Sequence, residues 1–302
     1  MLTTKQKLAI ARIIHATVMT GRSVVGLPPV TTVKRRNLRW VLDLREVIDF
    51  SIWLIGAFEL GTVRAYQRLL RPGQTVLDVG ANVGAHTLHF ARTVGPTGKV
   101  YAFEPTDYAF AKLNANVAAN PELVPRIVCC QTMLTEANGQ DIPPLYSSWP
   151  LVEEESLHAL HGGRLMSASK ARSMSLDSCL AEAGVDHVDL IKIDIDGFEC
   201  GMLRGARDTL ARMRPTIVME LSPHQLDENN SSIEELVEVL AAAGYALEDL
   251  TSGKPLPMSG SALGAIIPYG GSQNAIARPT ARPAGPTPPD GGRGVEDKNK
   301  TT

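Results

Sequence analysis

The chain has little of what a cross-linked, membrane-spanning or nucleic-acid-coating protein needs. Four cysteines occur in 302 residues (Cys129, Cys130, Cys179, Cys200), none in a CxxC pair, and the adjacent two cannot easily bridge each other. Neither a zinc knuckle nor a disulfide framework is readable, so a reducing, cytoplasmic compartment fits best. No apolar run reaches the roughly 18 residues of a membrane span. The longest, Val47 to Leu60, is broken by Asp49, Ser51, Gly56 and Glu59, and a soluble protein is expected. Charge of one sign is also missing: 30 Lys and Arg face 32 Asp and Glu, a net charge of -2, which excludes a polybasic nucleic-acid binder. What remains, 44% hydrophobic residues over this length, suffices for one full α/β core or two small ones.

The charge is uneven. Residues 1–46 hold nine Lys or Arg against Asp43 and Glu46, which makes this stretch +7 and the remainder -9. Ile10, Ile13, Ile14 and Val18 recur at helical spacing, so residues 1–50 read as a basic extension with an amphipathic helix. Such a helix packs on the core or makes weak contact with an anionic membrane surface. The absence of acids before Asp43 also suits a transit peptide. At the other end, residues 279–302 carry five prolines, four glycines and three apolar residues, and read as a disordered tail.

Between them strand and helix alternate. Val76–Val79 is a short apolar strand running into Gly80-Ala81-Asn82-Val83-Gly84, followed by a helix at residues 86–93. Further strands are expected at residues 100–103, 127–130, 189–193 and 216–221, with helices at 108–119, 197–213 and 232–243. Residues 245–250, 265–268 and 274–277 supply closing strands, one of them an antiparallel edge. The pattern is a doubly wound, mostly parallel α/β sheet over residues 51–278. Residues 141–172 fit no unit of it and read as an insertion. Tyr146 and Trp149 among its prolines suggest a substrate lid.

The glycine turn discriminates between ligands. A dinucleotide loop needs glycine at its second position so that backbone can approach a pyrophosphate; here that position is Asn82. Asp78, just before the turn, would repel a pyrophosphate and attract a cation. Glu104 ends the next strand, where an acid accepts hydrogen bonds from both ribose hydroxyls. The ordered set Asp78, Gly80, Gly84 and Glu104 points to S-adenosylmethionine.

The run VLDVGANVGAHTLHFA, then VYAFEP, MSLDSCL, LIKIDIDGFECGMLRGA and IVMELSP, resembles the FkbM family of methyltransferases over residues 50–278. The resemblance implies a Rossmann-like class I fold and O-methylation of sugars, polyketide hydroxyls or related glycan and natural-product acceptors. It assigns Gly80, Asn82, Gly84 and Glu104 to the cofactor. The stretch Gly56-Ala57-Phe58-Glu59 also matches a family element, with Glu59 toward the methionine ammonium. The insertion at 141–172 is longer than the family pattern.

Asp194, Asp196 and Glu199 form the densest acid cluster. Ligands of open α/β sheets bind beyond the carboxyl ends of the strands, which makes Asp194 the foremost catalytic candidate. Asp196 and Glu199 suit the start of a helix. Three neighbouring acids could also hold a divalent cation, but no fourth ligand is readable, so no metal is assigned. Asp194-Ile195-Asp196-Gly197 lacks the two prolines and aromatic of amino-base methylases, which disfavours a nucleobase acceptor. His224, beyond the fifth strand, is a second candidate base, with Glu220 its orienting partner or a structural acid. His158 and His161 have helical metal spacing without a completing ligand. An inactive cofactor-binding scaffold, a nicotinamide enzyme and an N-methyltransferase are the competing readings.

Overall fold

The computed structural model describes residues 4–146, 151 and 164–280, of which residues 4–13 through their backbone alone. The N-terminal part comprises α1 (Thr4–Val24), an antiparallel hairpin of β1 (Val30–Arg35) and β2 (Leu38–Asp43), α2 (Val47–Ile55) and α3 (Leu60–Leu69). The basic extension expected over residues 1–50 thus contains a hairpin and a second helix besides the expected one. The hairpin turn, Arg36-Asn37, has positive φ at both residues, 48° and 61°. This handedness matches the strand twist, but Asn-Gly or Asp-Gly would ordinarily announce it. Among the described side chains of α1, Val18 packs on the core as expected, Ile14 is exposed, and His15 is buried, its Nε2–H donating to the Leu44 carbonyl (2.9 Å) while its ring meets Phe50 edge-on.

The remaining elements are β3 (Thr75–Val79), α4 (Thr87–Thr93), β4 (Lys99–Phe103), α5 (Asp107–Ala118), β5 (Ile127–Cys130), β6 (Thr132–Leu134), β7 (Leu145–Tyr146), β8 (Leu165–Met166), β9 (Arg172–Met174) and α6 (Leu176–Glu182). They continue with β10 (Leu190–Ile193), α7 (Glu199–Arg204), β11 (Thr216–Leu221), α8 (Pro223–Glu228), α9 (Ile233–Ala242), β12 (Tyr245–Asp249), α10 (Gly260–Ile266) and β13 (Gln273–Pro279). The main sheet runs β12-β13-β11-β10-β3-β4-β5. Neighbours are parallel from β11 to β5, and β13 is antiparallel to both its neighbours. This is the Rossmann-like class I architecture that the motif order implies, except that the antiparallel strand lies one place in from the edge.

Each central strand is buried on both faces, so its apolar residues are continuous and not alternating with polar ones. Leu77, Val79, Ile191, Ile193, Ile217 and Met219 face α6, α7, α9 and α10. Val76, Leu190, Val218 and Ile276 face the N-terminal elements, with Trp40, Ile52, Tyr66, Leu88 and Leu113 between. The hairpin is fastened to α5 by two asparagines one helical turn apart. Asn116 accepts the Val41 amide (2.8 Å) and donates to the Val83 carbonyl (2.8 Å). Asn120 accepts the Arg39 amide (2.8 Å) and donates to its carbonyl (2.7 Å). Thus α5 satisfies the backbone of β2 as a neighbouring strand would.

Two expected elements are otherwise. The helix at 197–213 breaks after Arg204, because Gly205 lies so close to the Thr135 carbonyl that no side chain fits; a separate turn of π-helix covers Thr209–Met213. Residues 265–268, read as a strand, are the end of α10, through Ile266, and the two irregular residues after it; Ser259 caps this helix and its Leu263 is buried. Short apolar runs do not distinguish the two. In the insertion, β7 pairs with β8, and β9 lies parallel to β6. Trp149, His158 and His161 lie outside the described residues, as do residues 281–302. β13 runs past the expected boundary at residue 278, and the Thr280 amide donates to the Gly244 carbonyl (2.8 Å).

Replacing Asn116 by alanine strands a buried carbonyl and the Val41 amide. The expected loss is about 1–3 kcal/mol, read as a lowered urea midpoint with the slope unchanged.

Candidate active site

On the sheet face beneath the N-terminal elements, the apolar pattern gives way to polar rows near the carboxyl edge. Asp78 of β3 and Lys192 of β10 are register partners, and one step further Glu220 of β11 is opposite Asn274 of β13. Lys192 is 3% exposed, its Nζ 3.0 Å from Asp194 Oδ2 and 3.9 Å from Asp78 Oδ1. The second oxygen of Asp78 accepts a hydrogen bond from Thr87 Oγ1 (2.6 Å). A buried ammonium is tolerable only when so paired. Although burial works against its charge, Asp194 and Asp78 hold Lys192 above its usual pKa.

These rows underlie a cavity of about 480 Å³ at the strand ends. Its floor is Gly80, Asn82, Glu104, Lys192 and Asp194; α2 and the segment before α3 wall it with Val47, Ile48, Phe58 and Glu59, and Tyr146 reaches it from the insertion. Three non-glycine lining residues are left-handed: Glu59 (φ 46°), Asn82 (φ 47°) and Asp196 (φ 50°). Such strain collects at functional sites. The turn uses its own amides internally: those of Gly80 and Ala81 donate to the Phe103 carbonyl, that of Gly84 to Ala81, and that of Asn82 to Glu104 Oε2 (3.0 Å). The other oxygen of Glu104 accepts the Thr106 amide (2.9 Å) and hydroxyl (2.5 Å).

Of the sequence-predicted site residues, Glu59, Gly80, Asn82, Glu104 and Asp194 line this cavity. Asp78 does not: it is fully buried, and the cation it faces is Lys192. Gly84 lies behind the loop, where a side chain would press on Leu113. His224 is also absent from the wall; its Nδ1 lies 3.1 Å from Ser222 Oγ and its ring meets Tyr269 edge-on. Gly80 has a further reason to be glycine, since a Cβ there would overlap the Asp194 carbonyl oxygen. Sequence reasoning missed Lys192, whose signal was a lone charge inside the apolar strand LIKI. It also missed His86, 4% exposed, which lines the cavity with Nδ1 3.3 Å from the Tyr66 hydroxyl and Nε2 4.0 Å from Glu59 Oε2.

Electrostatics here are dominated by burial among like charges. Burial, then Asp194, raises Glu59. Burial raises Glu104 despite its three donors. Glu199 is pushed up to about 7 by burial, and Glu220 to about 7 by burial and Asp194. Asp196 is raised well above the carboxylate range by burial, Asp194 and Glu199. His86 is held neutral, far below its usual value, by burial and Lys192. The cavity therefore carries an excess of acids over its one lysine, and suits a cationic ligand.

The family described as "Methyltransferase FkbM domain" matches residues 78–247. The chain is 25% identical over 183 residues to 2-O-methyltransferase NoeI of Sinorhizobium fredii, a match covering 57% of this chain and 73% of that protein. It is 29% identical over 217 residues to 31-O-demethyl-FK506 methyltransferase FkbM of Streptomyces tacrolimicus, covering 63% and 80%. Among solved structures it resembles a methyltransferase FkbM of Methylobacillus flagellatus at TM-score 0.43 and 16% identity, covering 74% of this chain and 48%, about half, of that one.

Lys192→Met leaves Asp78 buried without its cation, an expected loss of about 3–5 kcal/mol. Asp78, already raised by burial, is then raised further above its unfolded value. The folded state thereby binds the extra proton, so stability falls as pH rises through and above the unfolded value of about 4. Urea unfolding of this variant at pH 5.5 and pH 8 should show the greater deficit at pH 8. Gly80→Val should also fail as a folded chain, through the overlap with Asp194, and not as an intact chain that has lost only ligand affinity; circular dichroism distinguishes the two.

Proposed function

The chain belongs to the FkbM methyltransferase family, and from that premise we propose that it transfers a methyl group from S-adenosylmethionine to a hydroxyl oxygen of a sugar, glycan or other natural-product acceptor. The observation that carries the cofactor assignment is Glu104, a buried carboxylate at a strand end whose rotamer is fixed by Asn82 and Thr106. A carboxylate in that place suits a ribose diol. The residues fit the cofactor in two further respects. The acid excess offsets the positive charge of a sulfonium and an ammonium. Four amides of the glycine turn are consumed within the protein, which leaves the loop poorly equipped for the pyrophosphate of a nicotinamide dinucleotide.

Glu104 and Asn82 would hold the nucleoside, and Glu59, beside neutral His86, the methionine ammonium. When bound, the cofactor supplies an electrophilic methyl group on sulfur. The protein's share is chiefly to position the acceptor oxygen in line, which is worth roughly 7–11 kcal/mol against the ~10²–10⁴ of a general base. Lys192 fixes Asp194, which can accept a hydrogen bond from the acceptor hydroxyl and orient it. Tyr146 and Met133 line the side of the cavity toward the insertion, where a sugar ring could stack. NoeI and FkbM are O-methyltransferases by name, and that favours oxygen over nitrogen as the acceptor atom.

Calorimetry should detect S-adenosylmethionine binding and no NAD binding. Glu104→Gln removes the charge and turns one acceptor into a donor facing backbone amides. The cofactor dissociation constant should rise about 10- to 100-fold, with the unfolding temperature lowered only modestly. Tight NAD binding, or unchanged affinity in the variant, would overturn the assignment. Isotope-labelled methyl transfer, with the product atom identified by NMR, tests the oxygen.

A further inference from the structure

The carboxylates of the cavity differ in what already holds them. Asp194 is ion-paired to Lys192 at 3.0 Å. Asp196 accepts a hydrogen bond from Gln225 Nε2 (2.6 Å), and Glu199 accepts the backbone amides of Ile195 and Gly197. Both oxygens of Glu104 are engaged by Asn82 and Thr106. Glu220 is different. It stands on β11 beside the strand that delivers Asp194, lines the cavity, and is tethered through Oε1 alone, by Ser272 Oγ–H from the start of β13. No hydrogen bond to Oε2 is present among the described residues.

Resting on the O-methyl transfer reading, we propose that Glu220 is the catalytic residue that takes the proton of the acceptor hydroxyl, through Oε2. As the acceptor oxygen forms its bond to the methyl carbon, its O–H bond breaks and the proton passes to Glu220; the electron pair of the broken carbon–sulfur bond stays on sulfur. Asp194 is the less available acceptor, because its Oδ2 is already engaged by the Lys192 ammonium at 3.0 Å. The groups facing Glu220 are acids: Asp194 after β10, Asp196 and Glu199 at the start of α7, and Glu59 before α3. Lys192 is committed to Asp194 and Asp78. Burial and these charges bring Glu220 to about 7, where a general base works best near neutral pH. His224 is turned to Ser222 and Tyr269. The single tether also has a use: a base fixed through one oxygen presents the other in a constant direction.

The test uses the full chain, labelled S-adenosylmethionine, and two probe acceptors, methyl hexopyranosides and trans-cyclohexane-1,2-diol, from pH 5.5 to 9. The wild-type kcat/KM should rise with pH to a midpoint near 7. Glu220→Gln should lower it by about 10²-fold or more and abolish the rise, while calorimetry shows S-adenosylmethionine still bound. Ser272→Ala, at an exposed position, removes a donor that favours the ionised form, and should move the midpoint upward. A Glu220→Gln variant with the wild-type rate and midpoint, or a folded Ser272→Ala variant with an unmoved midpoint, overturns the inference and leaves O-methylation standing. A wild-type chain that binds S-adenosylmethionine yet methylates no probe oxygen overturns the reading and the inference together.

Discussion

One buried ammonium organises the reactive end of this sheet. Lys192 rises from the middle of an apolar strand and is paired with Asp78, one strand away, and with Asp194, two residues on. Burying Lys192 and Asp78 is costly unless each finds its counter-charge. The cost is contained because the register of β3 and β10 puts the partners side by side. The same arrangement fixes the rotamer of Asp194, lends a positive charge to a cavity otherwise crowded with acids, and keeps His86 neutral. A shift in that register would take Asp78 away from Lys192.

The second constraint is steric. The turn after β3 passes so close to the end of β10 that the Asp194 carbonyl occupies the space of a side chain at Gly80. The glycine therefore secures the joint between the two strands before it concerns any ligand. The cavity is then closed from the N-terminal side by α2 and by Glu59, so that wall is built outside the strands of the main sheet.

The sheet was legible because strands buried on both faces write themselves as apolar runs, and because Gly80-Ala81-Asn82-Val83-Gly84 and Glu104 follow two of those runs at fixed places. Lys192 was not legible as a participant: its meaning depends on Asp78, 114 positions earlier, being its register partner. The hairpin was hidden by a turn of Arg36-Asn37, in which an arginine takes a left-handed conformation it seldom adopts and no glycine follows the asparagine. Asp78 and His224 were expected at the cavity on proximity to strand ends, yet Asp78 is fully buried against Lys192, and beyond a strand end the chain is free to turn away. Glu220, weighed as a partner for His224 or a structural acid, is the residue that the strand direction brings to the wall.

The placement of β13 bears on how the chain matures during synthesis. β12 pairs in the main sheet with β13 alone, and β13 intervenes between it and β11. A ribosome that has delivered everything up to residue 270 has thus released a sheet whose β11 edge is bare and a β12 strand with nothing to join. At translation rates of about 5–20 residues per second, the roughly fifty residues separating β11 from β13 keep that edge open for a few seconds. An unpaired strand edge invites pairing with other chains, so nascent chains crowded on one message are most exposed to each other just before the last described strand inserts.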